Sequence, residues 1–386
     1  MSRRFLIPSA PGLQDLLAEE LKELGLKPRI EASRACVLEG EWDTAARVLT
    51  HSRIAARVLV SVKQFSAKNQ AMLYHQVRRI PWPDLIPHQM TIAVFVQGTT
   101  DGTDFKRSFA PLKIKDAIVD EYRKWGDARP NVDRINPDVE INAHFYGGRC
   151  EISVDLSGIP LHRRGYRAKG GEAPLRENRA AALLRLAGYD GSRPLRDPFC
   201  GSGTIPIEAA LVARNIAPGL LRPVEEFTLH RLIEKSHLAL EAARKEAKAQ
   251  IRESASSPIV GSDIDPKAIQ VAKQNADRAG LSPEDIRFEV RDALDLPPGP
   301  VQIVANPPYG ERIGEQEQAA KQLGDFVHQL KHHNPGSTLT LVVPKGPVEH
   351  AVGMKPARRL SVESGDFQLR FMHCEIFAGK AREQRS

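Results

Sequence analysis

Beyond about residue 178, short hydrophobic runs alternate with helical stretches, and this order constrains the fold more than any other feature of the sequence. Strand–helix–strand order is typical of a parallel sheet with helices on both faces. We therefore predict an α/β, Rossmann-like domain in the second half of the chain. Its strands are expected at residues 193–197, 259–263, 286–290, 301–305, 338–343 and 367–377.

Polar residues follow four of these predicted strands, namely Asp197, Asp263, Asp292 and Asn306. Ligands of open α/β sheets bind in the crevice outside the carboxyl ends of the strands. The four side chains are therefore expected to converge on one crevice.

Residues 198–204 follow Asp197, contain Gly201 and Gly203, and open a helix. We call this segment the glycine loop, and its position suggests a mononucleotide-type ligand. The loop lacks the Gly-Lys-Ser/Thr of a nucleotide triphosphatase, and Asp263 lies 60 residues after Gly203, where a dinucleotide fold has an acid ~20 residues on. Asp197 would repel a pyrophosphate but can hold a cationic amino-acid group. This favours S-adenosylmethionine, with Asp263 at the ribose and Asp292 at the adenine amine. A ligand-free strand–helix turn explains the glycines alone about as well.

The tetrapeptide Asn306-Pro307-Pro308-Tyr309 follows the fourth strand of this domain. An exocyclic amine on a base is a poor nucleophile because its lone pair is delocalised into the ring. If the Asn306 carboxamide and the Pro307 carbonyl accept its two N–H groups, the nitrogen is drawn towards tetrahedral geometry. Tyr309 then offers a face for stacking the base. The alternative is a proline turn with a core tyrosine.

The basic residues are concentrated locally. The chain has 55 Lys and Arg against 48 Asp and Glu, a net charge of +7, and residues 161–185 hold seven basic and two acidic side chains. Such a cluster suits a polyanion contact. We predict RNA contacts for Arg163, Arg164, Arg167 and Lys169, although these arginines could instead pack a domain junction.

Several classes of protein are excluded by composition. No run approaches the ~18 apolar residues of a membrane helix, and Pro8 interrupts the first apolar run too early for a signal peptide. The cysteines (Cys36, Cys150, Cys200 and Cys374) form no Cys-x-x-Cys pair, which excludes a disulfide scaffold and a cysteine zinc site and suits a reducing cytoplasm.

Two other candidates have ordinary explanations. His328 and His332 are four residues apart on a predicted helix, but no third metal ligand is evident, so a solvated helix face is favoured and no metal is expected. Cys200 lies in the glycine loop without a predicted base partner, so we interpret it as a small packing residue.

The first part of the chain reads as α+β. A helix near its start ends at Gly25 and carries one apolar face, formed by Leu13, Leu16, Leu17, Leu21 and Leu24. Farther along we predict a buried strand at 92–96, a helix near 113–125 and a hairpin of residues 139–143 and 150–154.

Several segments resemble the bacterial THUMP-domain RNA guanine-N2 methyltransferases, the group similar to the large-subunit ribosomal RNA m2G enzyme. The matching segments of the second half are residues 161–167, 171–178, 197–204 with Glu208, and 306–312. Those of the first half are residues 116–119, 132–133, 136–139 and 154–158. Arg196 departs from the pattern, since an apolar residue is usual in that strand.

The resemblance implies four regions: a ferredoxin-like region (1–60), a THUMP RNA-binding domain (61–157), a basic linker (158–175) and a Rossmann-like methyltransferase domain (176–386). Some members carry a second methyltransferase domain, which is expected to be absent because the sequence ends at Ser386. The implied cofactor residues are Asp197, Phe199, Gly201, Gly203, Thr204, Asp263, Ile264, Asp292 and Asn306, and the implied catalytic residues are Asn306, Pro307 and Tyr309.

We therefore expect an S-adenosylmethionine-dependent enzyme that methylates guanine N2 in RNA, with 23S ribosomal RNA favoured. Adenine-N6 methylation of nucleic acid and guanine-N2 methylation of tRNA remain alternatives, because Asn-Pro-Pro-Tyr suits either amine. A non-catalytic RNA-binding assembly factor is the alternative from another class.

Overall fold

The computed structural model describes residues 2–31, 35–124, 126, 128–167, 175–232, 234–310, 313–364 and 367–377. The strands are β1 (Arg3–Pro8), β2 (Arg29–Ile30), β3 (Ala35–Gly40), β4 (Leu59–Ser66), β5 (Ile92–Gly98), β6 (Val139–Tyr146), β7 (Arg149–Asp155), β8 (Leu195–Asp197), β9 (Ile259–Asp263), β10 (Arg287–Val290), β11 (Gln302–Ala305), β12 (Thr338–Pro344), β13 (Arg358–Ser364) and β14 (Phe367–Glu375). The α-helices are α1 (Gln14–Glu23), α2 (Trp42–His51), α3 (Gln70–Arg78), α4 (Trp82–Leu85), α5 (Ala110–Tyr122), α6 (Glu177–Leu186), α7 (Thr204–Ala213), α8 (Thr228–Leu232), α9 (Glu234–Ala249), α10 (Pro266–Arg278), α11 (Ile313–His333) and α12 (Pro347–Ala351). Among the described residues, no helix is long and apolar enough to cross a membrane.

The first half of the chain forms one seven-stranded sheet in the order β2-β3-β1-β4-β7-β6-β5. β4 pairs with β1 on one side and with β7 on the other, both antiparallel. The two predicted N-terminal regions therefore share a continuous sheet through β4.

The predicted buried strand at 92–96 is only partly buried. It lies within β5, at the edge of the sheet, where Ile92 and Ala93 are buried but Phe95 is 40% exposed. An edge strand has a neighbour on one side only, so its apolar run does not guarantee burial on both faces.

The second half forms the predicted α/β sheet, in the order β10-β9-β8-β11-β12-β14-β13. The first five strands are parallel and β14 runs antiparallel to its neighbours. In β11, Val304 packs into one hydrophobic cluster and its neighbours Ile303 and Ala305 into another, so this sheet is covered on both faces.

The two ends of α10 carry typical helix start and stop residues. The Asp265 side chain accepts from the Lys267 N–H at 2.9 Å, Pro266 is the first helical residue, and Gly280 has φ +72° just beyond the helix. The helix start therefore lies three residues after Asp263, the last residue of β9.

The two halves are packed closely through glycines. A Cβ added to Gly12 would lie 1.8 Å from the Ser361 carbonyl oxygen, and one added to Gly158 would lie 1.9 Å from that of Glu226. Any side chain at these positions would therefore force the contacting backbone segments to shift.

Candidate active site

The four polar residues predicted to converge lie at the carboxyl ends of adjacent parallel strands. Asp197 in β8 pairs with Gly261, so Asp263 in β9 lies two residues beyond the level of Asp197. Ile303 in β11 pairs with Arg196, which places Asn306 two residues beyond that level on the other side. Val290 in β10 pairs with Asp263, and Asp292 follows it. The sheet therefore brings the predicted residues to one edge.

The glycine loop is held by two hydrogen bonds to β9. The Gly201 N–H donates to Asp263 Oδ2 at 2.9 Å, and the Cys200 N–H donates to the Ser262 carbonyl at 2.9 Å. Gly201 has φ +49° and a Cβ added there would meet no atom within 4 Å, so the space in front of the loop is open. Asp263 thus shapes the loop in addition to facing the crevice.

Gly203 serves packing instead. Its φ is +84°, and an added Cβ would lie 3.0 Å from Ala272 Cβ and 3.1 Å from the Phe288 ring. The second glycine lets α7 begin close against the helix and strand behind it.

Asp197 is buried beneath this loop and accepts from the Phe199 N–H at 3.1 Å. Burial raises the pKa of the Asp197 carboxyl well above its usual range, the Phe199 N–H opposes this rise, and the neighbouring Asp263 adds to it. A cationic group placed here would stabilise the ionised carboxylate.

The outer part of the crevice is unusually apolar for an exposed surface. Ile264 is 70% exposed and Val290 is 58% exposed, and both flank the ends of β9 and β10. Asp292 lies between them and Leu294, and its side chain accepts from the Leu294 N–H at 2.9 Å. An aromatic ring with an amine edge fits such a surface. The sequence analysis included Ile264 and Asp292 in this site but not Val290 and Leu294. These two apolar residues lie two positions before and after Asp292, and that spacing is the sequence feature that could have indicated them.

The Asn-Pro-Pro-Tyr loop carries an orphaned acceptor. Asn306 Oδ1 is buried and has no hydrogen-bond partner among the described residues. Pro307 is buried and Pro308 is exposed, while Tyr309 is partly buried against the cluster beneath the loop. A buried acceptor without a donor costs free energy unless a ligand supplies the donor.

The Phe199 ring packs against the same hydrophobic cluster as Tyr309. It packs edge-on against Phe326 of α11, with ring centroids 5.1 Å apart. Phe199 therefore belongs to the floor of the site.

The basic linker residues occupy different environments. Arg163 is exposed, whereas the Arg164 side chain is 2% exposed and lies 3.4 Å (Nε–Oε1) from buried Glu208. Arg164 also donates to the carbonyls of Leu161 and Arg53. An RNA phosphate cannot reach this guanidinium, so we reassign Arg164 from the predicted RNA-binding set to the domain junction. Arg167 is partly buried, and Lys169 lies outside the described residues.

Cys200 is buried and the two histidines are exposed. Cys200 belongs to the hydrophobic core, and burial raises the pKa of its thiol, which disfavours a nucleophilic thiolate. His328 and His332 are exposed on α11 with ring centroids 4.6 Å apart. The described residues contain no group of three or more side chains that could hold a metal ion.

Three family matches cover most of the chain. The RMKL-like methyltransferase domain matches residues 164–372, the THUMP domain residues 67–155, and the RlmL ferredoxin-like domain residues 4–59.

The chain is also similar to individual proteins. It is 36% identical over 385 residues to the ribosomal RNA large subunit methyltransferase K/L of Syntrophotalea carbinolica, covering 97% of this chain and 53% of the relative. The chain therefore spans about half the length of that relative. A crystal structure from Listeria monocytogenes, described as a predicted N6-adenine-specific DNA methylase, superposes with a TM-score of 0.86 at 28% identity over 98% of this chain and 97% of the other. The structure of the methyltransferase SMU.472 complexed with SAH has a TM-score of 0.85 at 24% identity over 98% of each chain, and shows the same fold.

The parallel sheet and these matches define an α/β domain of the methyltransferase type, preceded by ferredoxin-like and THUMP domains. The chain belongs to the RMKL-like methyltransferase family.

Proposed function

We propose that this chain transfers a methyl group from S-adenosylmethionine to the exocyclic N2 amine of a guanosine in large-subunit ribosomal RNA. The observation that carries the proposal is Asn306 Oδ1, a buried acceptor beside the glycine loop for which the described part of the chain supplies no donor. The name of the Syntrophotalea carbinolica relative supports ribosomal RNA as the substrate. The reaction belongs in the cytoplasm, where that RNA is found.

The residues at the strand ends fit the proposed cofactor. Asp197 would pair with the amino-acid end, the open space before Gly201 would let the ligand approach the backbone, and Asp263 would accept the ribose hydroxyls. Ile264 and Asp292 offer an apolar surface and an acceptor for the adenine. When bound, S-adenosylmethionine supplies an activated methyl group.

The chemistry assigned to the protein is positioning. Asn306 Oδ1 and the Pro307 carbonyl would accept the two N–H groups of the target amine, which frees its lone pair for reaction without a strong base. Two successive prolines restrict the loop, so these acceptors are held in place before the base arrives. Tyr309 would stack on the base after it leaves its helix.

RNA capture is assigned to the THUMP part and the exposed part of the linker. Arg163 is the linker arginine that the structure leaves exposed among the three predicted. With a chain charge of +7, we expect RNA affinity to fall as the salt concentration rises.

Adenine-N6 methylation is the second candidate, because the Listeria monocytogenes structure carries that description. Asn306 Oδ1 and the Pro307 carbonyl would accept hydrogen bonds from the exocyclic amine of adenine and of guanine in the same way. The choice between the bases therefore depends on contacts to the rest of the ring.

The test is methylation of ribosomal RNA by the purified chain, followed by digestion and mass spectrometry of the nucleosides. We expect N2-methylguanosine in large-subunit RNA. N6-methyladenosine would favour the second candidate, and methylation of transfer RNA alone would change the substrate. Cofactor binding without methylation of any RNA would contradict an enzymatic role and favour an assembly factor. Asn306→Ala is the control for contaminating activity.

A further inference from the structure

We infer that Arg167 is a positioning residue that holds the glycine loop through the hydroxyl of Thr204. The inference rests on the proposed function, because it assumes that the loop binds the cofactor. Arg167 Nη2 donates to Thr204 Oγ1 at 2.8 Å and to the Leu175 carbonyl at 3.0 Å. Its Nε lies 3.4 Å from Glu177 Oε1.

Thr204 is well placed to transmit this contact. It is the first residue of α7, directly after Gly203, and it is buried. The loop is thereby fixed at both ends: Asp263 accepts from the Gly201 N–H on one side, and Arg167 donates to Thr204 on the other. A loop anchored at both ends loses less conformational entropy when it binds a ligand.

Two neighbouring linker residues, Tyr166 and Arg164, contact α7 one turn beyond Thr204. The Tyr166 hydroxyl donates to Glu208 Oε1 at 3.2 Å, and Arg164 pairs with the same oxygen at 3.4 Å. Thr204 and Glu208 are four residues apart and therefore lie on one face of α7. The linker segment 164–167 thus contacts one helix face at two successive turns.

These contacts also separate Arg167 from an RNA-binding role. The side chain is 24% exposed and its guanidinium contacts a carbonyl, a hydroxyl and a buried carboxylate. To bind a phosphate it would have to leave Glu177 and Thr204. Arg163, by contrast, is exposed. Among the described residues its side chain makes no hydrogen bond or ion pair that phosphate binding would have to break.

The experiment measures S-adenosylhomocysteine affinity by calorimetry on the full chain. Arg167→Ala is expected to weaken binding by about tenfold, the scale for a hydrogen bond to a charged group. Thr204→Val, which removes the acceptor, should weaken it too, and Thr204→Ser, which keeps a hydroxyl, should bind nearly as wild type does. The double variant Arg167→Ala/Thr204→Val should bind no more weakly than Thr204→Val alone.

A matched control is Arg278→Ala, which removes an exposed arginine at the C-terminal end of α10, away from the carboxyl ends of the strands. It should leave the affinity unchanged. The salt dependence of RNA binding is measured in parallel, and Arg167→Ala should keep the wild-type slope.

Arg167→Ala binding as tightly as wild type would overturn the inference, as would additive losses in the double variant or a flattened salt slope. If Arg167→Ala does not fold, equal affinities of Thr204→Val and Thr204→Ser would overturn it instead. A wild-type chain that fails to bind S-adenosylhomocysteine would refute the proposed cofactor itself, so the two failures are distinguishable.

Discussion

The two loops that face the crevice are held in opposite ways. In the glycine loop, the N–H groups of Phe199, Cys200 and Gly201 are all bonded, two of them to the strand-end acids Asp197 and Asp263. In the Asn-Pro-Pro-Tyr loop, two prolines have no N–H to donate and Asn306 Oδ1 is left without a partner among the described residues.

This difference separates a binding surface from a reacting one. The glycine loop has three backbone N–H groups bonded within the protein, so its backbone shape is set before a ligand arrives, although Ser202 Oγ is buried without a partner among the described residues. Asn306 keeps a buried acceptor that a substrate N–H would satisfy, and such preorganised groups act most strongly as the reaction proceeds. We therefore expect changes in the first loop to alter affinity and changes in the second to alter rate.

The largest expected effect is that of Asn306→Ala. Removing the acceptor should lower the rate of methyl transfer by roughly 10²–10³-fold, the scale for one preorganised polar partner. Single-turnover transfer with both substrates saturating measures this step. A wild-type rate there would refute the proposed chemistry.

Asn306→Asp sharpens the same test. It keeps an acceptor oxygen but places a negative charge near Asp197 and Asp263, so we expect partial activity. Asn306→Ala should bind S-adenosylhomocysteine nearly as wild type does, whereas the added charge of Asn306→Asp would tighten cofactor binding or misplace the base.

Asp263→Ala is expected to act on affinity. The variant loses the acceptors of the Gly201 and Asp265 N–H groups as well as the proposed ribose contact, so cofactor binding should weaken by ~1–3 kcal/mol. Calorimetry checks it, with Asp265→Ala as the matched control. That control removes the cap of α10 and should lower stability by about 1 kcal/mol while leaving affinity unchanged. Equal affinity of Asp263→Ala and wild type would remove Asp263 from the site.

Tyr309 tests whether the second loop also contributes binding. Tyr309→Ala should lose ~1–3 kcal/mol of base stacking, whereas Tyr309→Phe keeps the ring face and should have little effect. The measurement is the dissociation constant for an RNA fragment that contains the target base. If the two variants lose the same affinity, the hydroxyl and not the ring face would be the important group.

The smallest expected effect is a pH dependence from Asp197. Its folded pKa is raised by burial, so the native state keeps the proton to higher pH than the unfolded chain, whose pKa is about 3.9. The contribution of Asp197 to the free energy of unfolding is fully present below the unfolded-state pKa and is lost as the pH rises through the folded-state pKa. Without ligand, Asp197→Asn should therefore melt increasingly above wild type as pH rises from about 4. Parallel melting temperatures across pH would contradict this account.

Asp263 and Asn306 could be predicted from the sequence because they end or follow largely apolar strands, whereas the strands before Asp197 and Asp292 contain arginine and are weaker signals. β9 was predicted at its observed bounds, and the aspartate cap, proline and glycine at the ends of α10 are signals that the sequence also carries. β13 was missed because its sequence, RRLSVES, is largely polar and the strand pairs only with β14 at the sheet edge.

The burial of Arg164 could not be predicted from local sequence. The arginine-rich segment has the composition of a solvated nucleic-acid contact, and burial of the guanidinium depends on Glu208, which follows 44 residues later. Long-range pairing of this kind leaves no periodic signal, whereas the strands and helix ends do.

The continuous sheet through β4 limits where the N-terminal half of the chain can be truncated. A cut near residue 60 would fall inside β4 (Leu59–Ser66), and a cut on either side of it would leave β1 or β7 with an unpaired edge. Open edges of this kind recruit other chains and promote aggregation. In recombination between relatives, the smallest portable piece of the N-terminal half is therefore the whole seven-stranded sheet.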